Sequence, residues 1–563
     1  LDADVGYGPS TPGGTHGKAL GITVPGGHTL PYPTGYGPDG DAGAFLDPNL
    51  IGSHVLPIVS QRRFDRVQQA KGEMVWRQDE NLKITLGYQY VGDHDNVRVY
   101  NDFANNQWQA YAGYGPASNN TGTLGVALPP SLFTGGFSTA DFITGFAGSA
   151  ALPPRILAFN AHSVVNYLQG LGNPQAIAIP GYNVGCCNSA FDGTYRVVNE
   201  PESYSQVIEN TNAAYLSISA RLRLAGIPAR INAGLRGEYT SVTTVGLGQE
   251  PTALTVQPSD HTAFLVNYSG LTMVSGHNSY QSLLPNLDLT LEPRDDVQVR
   301  FDVSRTLTRP PLTQINPALT VPTILRVGAL TATGGNPELM PYVSVNIDLS
   351  GAWYYQHNSY LSVDVFNKNV SDFVVQGSTQ QNINSVIDPT TGLPAIFTVS
   401  TNVNGPRANI YGAEVAVQHV FDDSGFGFQA NATLVDTNKP YNPLDLAVSG
   451  FAVTGLANSA NLVLFYDKDG FQARIAANWR DKYLDHFGQQ QNGSRFGTEP
   501  TFVNASTQVD FSTSYDISPS LYVYFSAQNL NNATFSTHGR FSEQLLDMVD
   551  YGRRFTLGLH GKY

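Results

Sequence analysis

Charge is scarce in this chain. Asp, Glu, Lys and Arg make up 13% of its 563 residues, about half the roughly 25% usual in soluble domains, which argues against a string of ordinary soluble domains. Long apolar runs are absent as well. No stretch approaches the roughly 20 residues a membrane-spanning helix needs, so any passage through a bilayer is made by strands. Cysteine is limited to Cys186 and Cys187, too few for a disulfide scaffold. The acidic excess (31 basic against 45 acidic residues, net charge −14) comes without a Lys/Arg run, and such a surface does not attract nucleic acid. No leader with a basic start and an apolar stretch is visible at Leu1, so the expectation is that it was removed or that the chain begins downstream of it. Gly-x-Ser-x-Gly, His-Glu-x-x-His and Walker-loop motifs are missing, so no enzyme, cofactor or metal is implied.

What is abundant is Gly (56), Tyr (29) and Phe (28), together with period-two alternation. Ala214, Leu216, Ile218, Ala220 and Leu222 alternate with Tyr215, Ser217, Ser219, Arg221 and Arg223. Val297, Val299, Phe301 and Val303 alternate with Gln298, Arg300, Asp302 and Ser304, and Phe471, Ala473, Ile475, Ala477 and Trp479 with Gln472, Arg474, Asn478 and Arg480. Each such segment reads as a strand with one apolar and one polar face. Very short turns (78–81, 225–228, 293–296, 356–358, 422–425, 467–470, 516–520) alternate with long polar loops. That alternation marks an outer-membrane β-barrel, whose strands close on themselves and carry tight periplasmic turns and long outer loops.

The fold class expected is therefore all-β, a transmembrane antiparallel barrel over residues 61–563, with a long outer loop at about 95–204 and an extracellular segment at 1–60. About fifteen spans are counted, seven hairpins and a lone terminal strand. If Tyr563 ends at the periplasmic side, the first span descends from outside. Since single-chain barrels have even strand numbers, the expectation is that further sequence precedes Leu1.

Several motifs together carry a resemblance. Ser304-Arg305-Thr306-Leu307-Thr308-Arg309-Pro310 is followed by Gly335-Asn336-Pro337-Glu338-Leu339-Met340-Pro341 and by Tyr360 to Asn369. Tyr411-Gly412-Ala413-Glu414, Asn478 to Tyr483, Gln528 to Asn532 and Tyr551 to Phe555 come after them in order. Over roughly 205–563 the chain resembles the barrel of TonB-dependent outer-membrane receptors. The resemblance implies a barrel of about 22 strands, filled by an N-terminal plug, in the outer membrane of a Gram-negative bacterium. It also implies energy from a TonB-ExbB-ExbD motor, and import of a small-molecule nutrient such as a siderophore or carbohydrate. Neither plug nor TonB box is recognisable in this sequence. A passive sixteen-stranded porin is the second reading. A surface interaction protein, whose long loops bind a partner such as a surface lipoprotein, is the third.

Candidate solute contacts are loop residues able to stack or hydrogen-bond: Trp108, Tyr111, Tyr114, Tyr182, Arg309, Arg326 and Asn336. Arg309 and Asn336 also read as local scaffold, because they belong to the motifs just named. Cys186 and Cys187 are candidates for a disulfide between neighbours, with free or intermolecular thiols and a metal site as alternatives. His16, His28, His54 and His162 lack ligand spacing and read as solvated, and Asp39, Asp41 and Asp47 lack the order of a calcium loop. Gly35 to Gly40 formally matches a dinucleotide fingerprint but follows no strand and reads as a turn. Gly-Tyr-Gly-Pro occurs at 6–9, 35–38 and 113–116, either as repeated turn chemistry or as rigid turns presenting a Tyr for stacking.

Overall fold

The computed structural model describes residues 21–23, 32–34, 48–53, 56–111, 126–138, 155–174, 176–179, 191–442, 451–487, 499–542 and 544–562 of the chain. Fifteen strands join in one sheet, each hydrogen-bonded to its predecessor and successor among them. They are β1 (Val59–Arg77) and β2 (Leu82–Asn101), β3 (Val198–Leu224) and β4 (Ile227–Gly248), and β5 (Thr272–Arg294) and β6 (Val297–Thr308). Next come β7 (Tyr342–Gln356) and β8 (Ser359–Ser371), β9 (Ala408–Val420) and β10 (Phe426–Thr437), and β11 (Ser459–Lys468) and β12 (Phe471–Arg480). The order ends with β13 (Ser506–Ser518) and β14 (Leu521–Gln528), then β15 (Arg554–Gly561). All seven short turns read from the sequence fall between paired strands of this order. β1 and β15 stand at its two ends, and β1 is exposed along all 19 of its residues.

Register keeps the alternation in phase from strand to strand. Leu235 lies opposite Leu216 on one side and Pro285 on the other, and Leu287 opposite Ala233 and Val303. These rows form one face whose large apolar side chains are exposed, among them Leu235, Leu283, Val345, Ile347, Leu434 and Leu464. The opposite face is polar: Asn232 Nδ2 donates to Asp288 Oδ1 (3.0 Å) and Asn346 Nδ2 to Thr306 Oγ1 (3.1 Å). A sheet with apolar groups outward and polar groups inward is the inverse of a soluble barrel and fits a lipid exterior. The tight turns are those that match strand twist. Ala225 and Gly226 have φ of 51° and 87°, and Asp469 and Gly470 have 53° and 75°.

The chain divides into two compact units. One holds residues 1–62, 98–201 and 542–549; the other holds 63–97, 202–541 and 550–563. The first contains the helix α1 (Ala161–Gly170), whose start is capped by Asn160 Oδ1 accepting from Ser163 N at 3.2 Å. Val164 and Leu168 of α1 are buried with Tyr111, Val126, Leu128 and Phe191.

In the second unit, segments that read as long polar loops carry sheets of their own. Strands Pro251–Gln257, Asp260–Tyr268 and Ile324–Arg326 form one. Leu319–Thr320, Thr331–Gly334, Val374–Ile387 and Pro394–Asn404 form another. They enclose a core that includes Leu254, Phe264, Val266, Leu325, Phe397 and Val399. Loops with a dry core of this size are folded structure rather than tethers.

Candidate functional site

The motif Ser304 to Pro310 ends β6 and delivers Arg309 into a cluster on the inward face. Arg309 Nε lies 2.8 Å from Glu209 Oε1, and its Nη2 lies 3.2 Å from Glu238 Oε2. The same Nη2 is within 3.1 Å of Thr211 Oγ1 and 3.3 Å of Thr240 Oγ1. Arg236 completes the group, with Nε donating to Glu238 Oε1 at 2.5 Å. Two guanidinium groups thus neutralise two carboxylates at the joint of β3, β4 and the chain leaving β6. Charge-assisted bonds of this kind fix position.

Asn336 holds the next motif together. Its backbone N–H donates to Gln314 O (2.8 Å), its side-chain amide to Asn402 O (3.0 Å), and its Oδ1 accepts from Glu338 N (2.9 Å). Beside it, a Cβ on Gly335 would stand 2.5 Å from Asn316 O and 2.8 Å from Gln314 O, so backbone occupies the space a side chain needs.

Arg326 has a different setting. It ends a short strand of the outer loop sheets, its side chain is 64% exposed, and Nη1 pairs with Asp260 Oδ2 at 2.6 Å. Asp260 also accepts from the Thr262 hydroxyl at 2.6 Å. The Thr262 hydroxyl and then the Arg326 guanidinium hold this carboxyl down at about 2.

Trp108 is half-buried, tilted against Phe103 with ring centroids 5.3 Å apart. Tyr111 is fully enclosed, its hydroxyl donating to Gly172 O (2.7 Å) and its ring meeting Phe191 edge-on at 5.4 Å. In the same unit Asp102 is buried, and burial raises its carboxyl above the ordinary range although Ile58 N donates to Oδ1 at 2.9 Å. Tyr114, Tyr182, Cys186, Cys187, His16, His28, His54, Asp39, Asp41, Asp47 and the three Gly-Tyr-Gly-Pro segments lie outside the described residues. His162 is exposed on α1. Among the described residues no group of three or more His, Cys, Asp and Glu could hold a metal ion.

The inward face carries a groove of about 480 Å³ that sequence reading missed. Arg474 lines it, opposite Phe465 and Ser512 in adjacent strands, and Ser512 in turn faces Ser526. Gln429, Asp467, Gln472 and Tyr524 also belong to the lining. The signal was present: Phe465 sits at a polar-face position of β11, between outward Leu464 and Tyr466.

The model of the family described as "TonB dependent receptor-like, beta-barrel" matches residues 20–530. The fold is similar to that of the copper transporter OprC, at 11% identity and a TM-score of 0.48, over 90% of this chain and 58% of that one. The siderophore receptor PirA from Acinetobacter baumannii is similar at 11% identity and 0.42, over 89% and 71%. The ferric-catecholate import receptor Fiu from E. coli K12, in its closed form, is similar at 11% and 0.47, over 89% and 55%. This chain thus spans less than two-thirds of the length of two of these three. No curated protein matches in sequence.

Proposed function

The chain belongs to the TonB-dependent receptor β-barrel family, whose members lie in the outer membrane of Gram-negative bacteria, and on that premise we propose that it serves energy-coupled import of a scarce small-molecule nutrient. The observation that carries the reading is the match of one family over 20–530 to a wall of fifteen sequential hairpin strands. In this reading the outer loops take up the solute, and TonB, driven by ExbB and ExbD, supplies the energy for its passage. No covalent chemistry on the solute is needed, and the protein acts as a transporter rather than an enzyme.

Arg326 and Trp108 are proposed as solute contacts, Arg326 because its side chain is largely exposed on a loop sheet and Trp108 because it is only half-buried. Tyr114 and Tyr182 are proposed with them on sequence grounds. Arg309, Asn336 and Tyr111 are proposed as positioning residues, since their polar atoms are engaged within the protein.

The test is mass-spectrometric identification of the small molecule that co-purifies with the full-length protein, followed by its affinity for Arg326→Ala and Trp108→Ala. Loss of one charge-assisted bond or one stacking contact is expected to weaken binding about tenfold. Proteoliposomes that swell in small sugars at porin rates replace this reading with the passive one.

A further inference from the structure

On the outward face of β6 the positions run Val297, Val299, Phe301, Val303, Arg305 and Leu307, so Arg305 shares the apolar side of the wall. Register places it opposite Val345 of β7, which is 43% exposed. Leu283, Tyr239 and Tyr88 on the same face are about half exposed too, at 52%, 45% and 52%. Arg305 is itself exposed, and its Nη1 donates to Leu283 O at 3.3 Å. Among the described residues no carboxylate pairs with it, so most of its five N–H donors are open.

Its height along the strand gives this meaning. Arg305 is eight positions beyond Val297, the first residue after the short turn, and at about 3.3 Å per residue with the usual barrel tilt that is roughly 20 Å above the turn. Trp479, eight positions into β12, and Tyr411, nine positions from the end of β9, face outward at a similar height. The apolar band of such barrels is about 25 Å tall and ends in an aromatic girdle. Arg305 therefore reaches the level of the outer-leaflet head groups, where a lipid-facing arginine is tolerated far better than at mid-membrane.

Beside it runs an open groove of about 640 Å³ whose lining includes Tyr88, Asn212, Tyr239, Leu283 and Arg305, together with Glu238, whose carboxylate is already paired with Arg236 and Arg309. Tyr88 donates to Asn212 Oδ1 at 2.6 Å, which fixes one wall. The groove joins a planar cationic fork, which matches phosphate oxygens in geometry and charge, to aliphatic and aromatic walls suited to acyl chains.

We propose that Arg305 and this groove bind the phosphate of a phosphorylated glycolipid in the outer leaflet, making the site a lipid anchor distinct from any solute contact. The test uses full-length protein in nanodiscs holding equal amounts of a phosphorylated lipid A-type glycolipid and its dephosphorylated form, with retained lipid counted by native mass spectrometry. The wild type is expected to prefer the phosphorylated form about fivefold, the usual worth of one surface arginine against an anionic lipid. Arg305→Gln is expected to abolish the preference and Arg305→Lys to keep most of it. Absence of preference in the wild type, or an undiminished preference in folded Arg305→Gln, overturns the proposal. Full displacement by millimolar inorganic phosphate would also overturn it, in favour of a free-anion site. If Arg305→Gln fails the heat-modifiability check for folding, the wild-type comparison of the two lipids decides by itself.

Discussion

Arg309 Nε stands 2.8 Å from Glu209 Oε1, although the two residues are 100 positions apart in sequence. The pair ties the chain leaving β6 to the wall at β3, and Glu238 takes the other side of the same guanidinium at 3.2 Å. Glu209 and Glu238 are mostly buried, while a third of Arg309 is open. Replacing Arg309 by Met leaves Glu209 without its cationic partner, while Glu238 keeps only Arg236. A fully buried break of this kind costs about 3–5 kcal/mol, and the partial opening lowers the expectation to about 2–3 kcal/mol. The temperature at which the protein loses its compact band on heat-modifiability gels is expected to fall. An unchanged temperature means that the cluster does not hold the strands.

The two faces of the wall respond differently to charge. Arg at outward Leu235, Val299 or Ile475 is expected to cost about 2–4 kcal/mol where the site lies near mid-membrane, and much less at inward Asn232 or Ser304. The same gels report this, and equal sensitivity of the two faces contradicts the assigned parity.

These strands and turns were legible in the sequence because both signals are local. Period-two alternation and turn chemistry are complete within a few residues, as in Asp467 to Gly470 between β11 and β12. The loop sheets were not legible, since their pairings are distant. Thr331 pairs in parallel with Thr398, and Ala263 pairs antiparallel with Arg326. Nothing near Thr331 announces its partner. The same distance explains the sites: Asp260 lies 66 residues before Arg326, so Arg326 could be singled out by type and loop position but not by its ion pair. Arg309 and Asn336 were visible through their motifs, but the protein groups each one engages are brought together only by folding.

The outer loop module should melt apart from the wall. Phe397 is fully buried in its core, and Phe397→Ala is expected to cost about 3–5 kcal/mol there. Hydrogen exchange should rise across residues 251–268, 319–334 and 374–404 while β5 to β9 stay protected. Uniform loss of protection across wall and module contradicts a separately cored module.

Gly335→Ala should disturb the turn that Asn336 organises, because the new methyl meets Asn316 O and Gln314 O. Backbone must shift, at a cost of about 1–3 kcal/mol. Limited proteolysis is expected to cut between residues 311 and 341 faster than in the wild type. An unaltered cleavage pattern shows that the loop absorbs the methyl.

The Asp260–Arg326 contact should outlast mild acid. Its carboxyl is held at about 2 when folded, below the ordinary Asp value of about 3.9. A depressed folded value means that the stabilisation is complete above the unfolded value and is lost as pH falls through the folded one. Exchange protection of Thr262 and Val327 is therefore expected to persist at pH 4 and fade toward pH 2. Fading already between pH 5 and 4 contradicts the depressed value.

Energy-coupled passage is tested by accumulation of the co-purified solute, radiolabelled, in cells expressing the full-length protein, with and without TonB. Uptake is expected to saturate and to fall to the background of cells lacking the protein when TonB is removed or the proton gradient is collapsed. Uptake that rises linearly with concentration and is indifferent to both treatments contradicts energy-coupled passage.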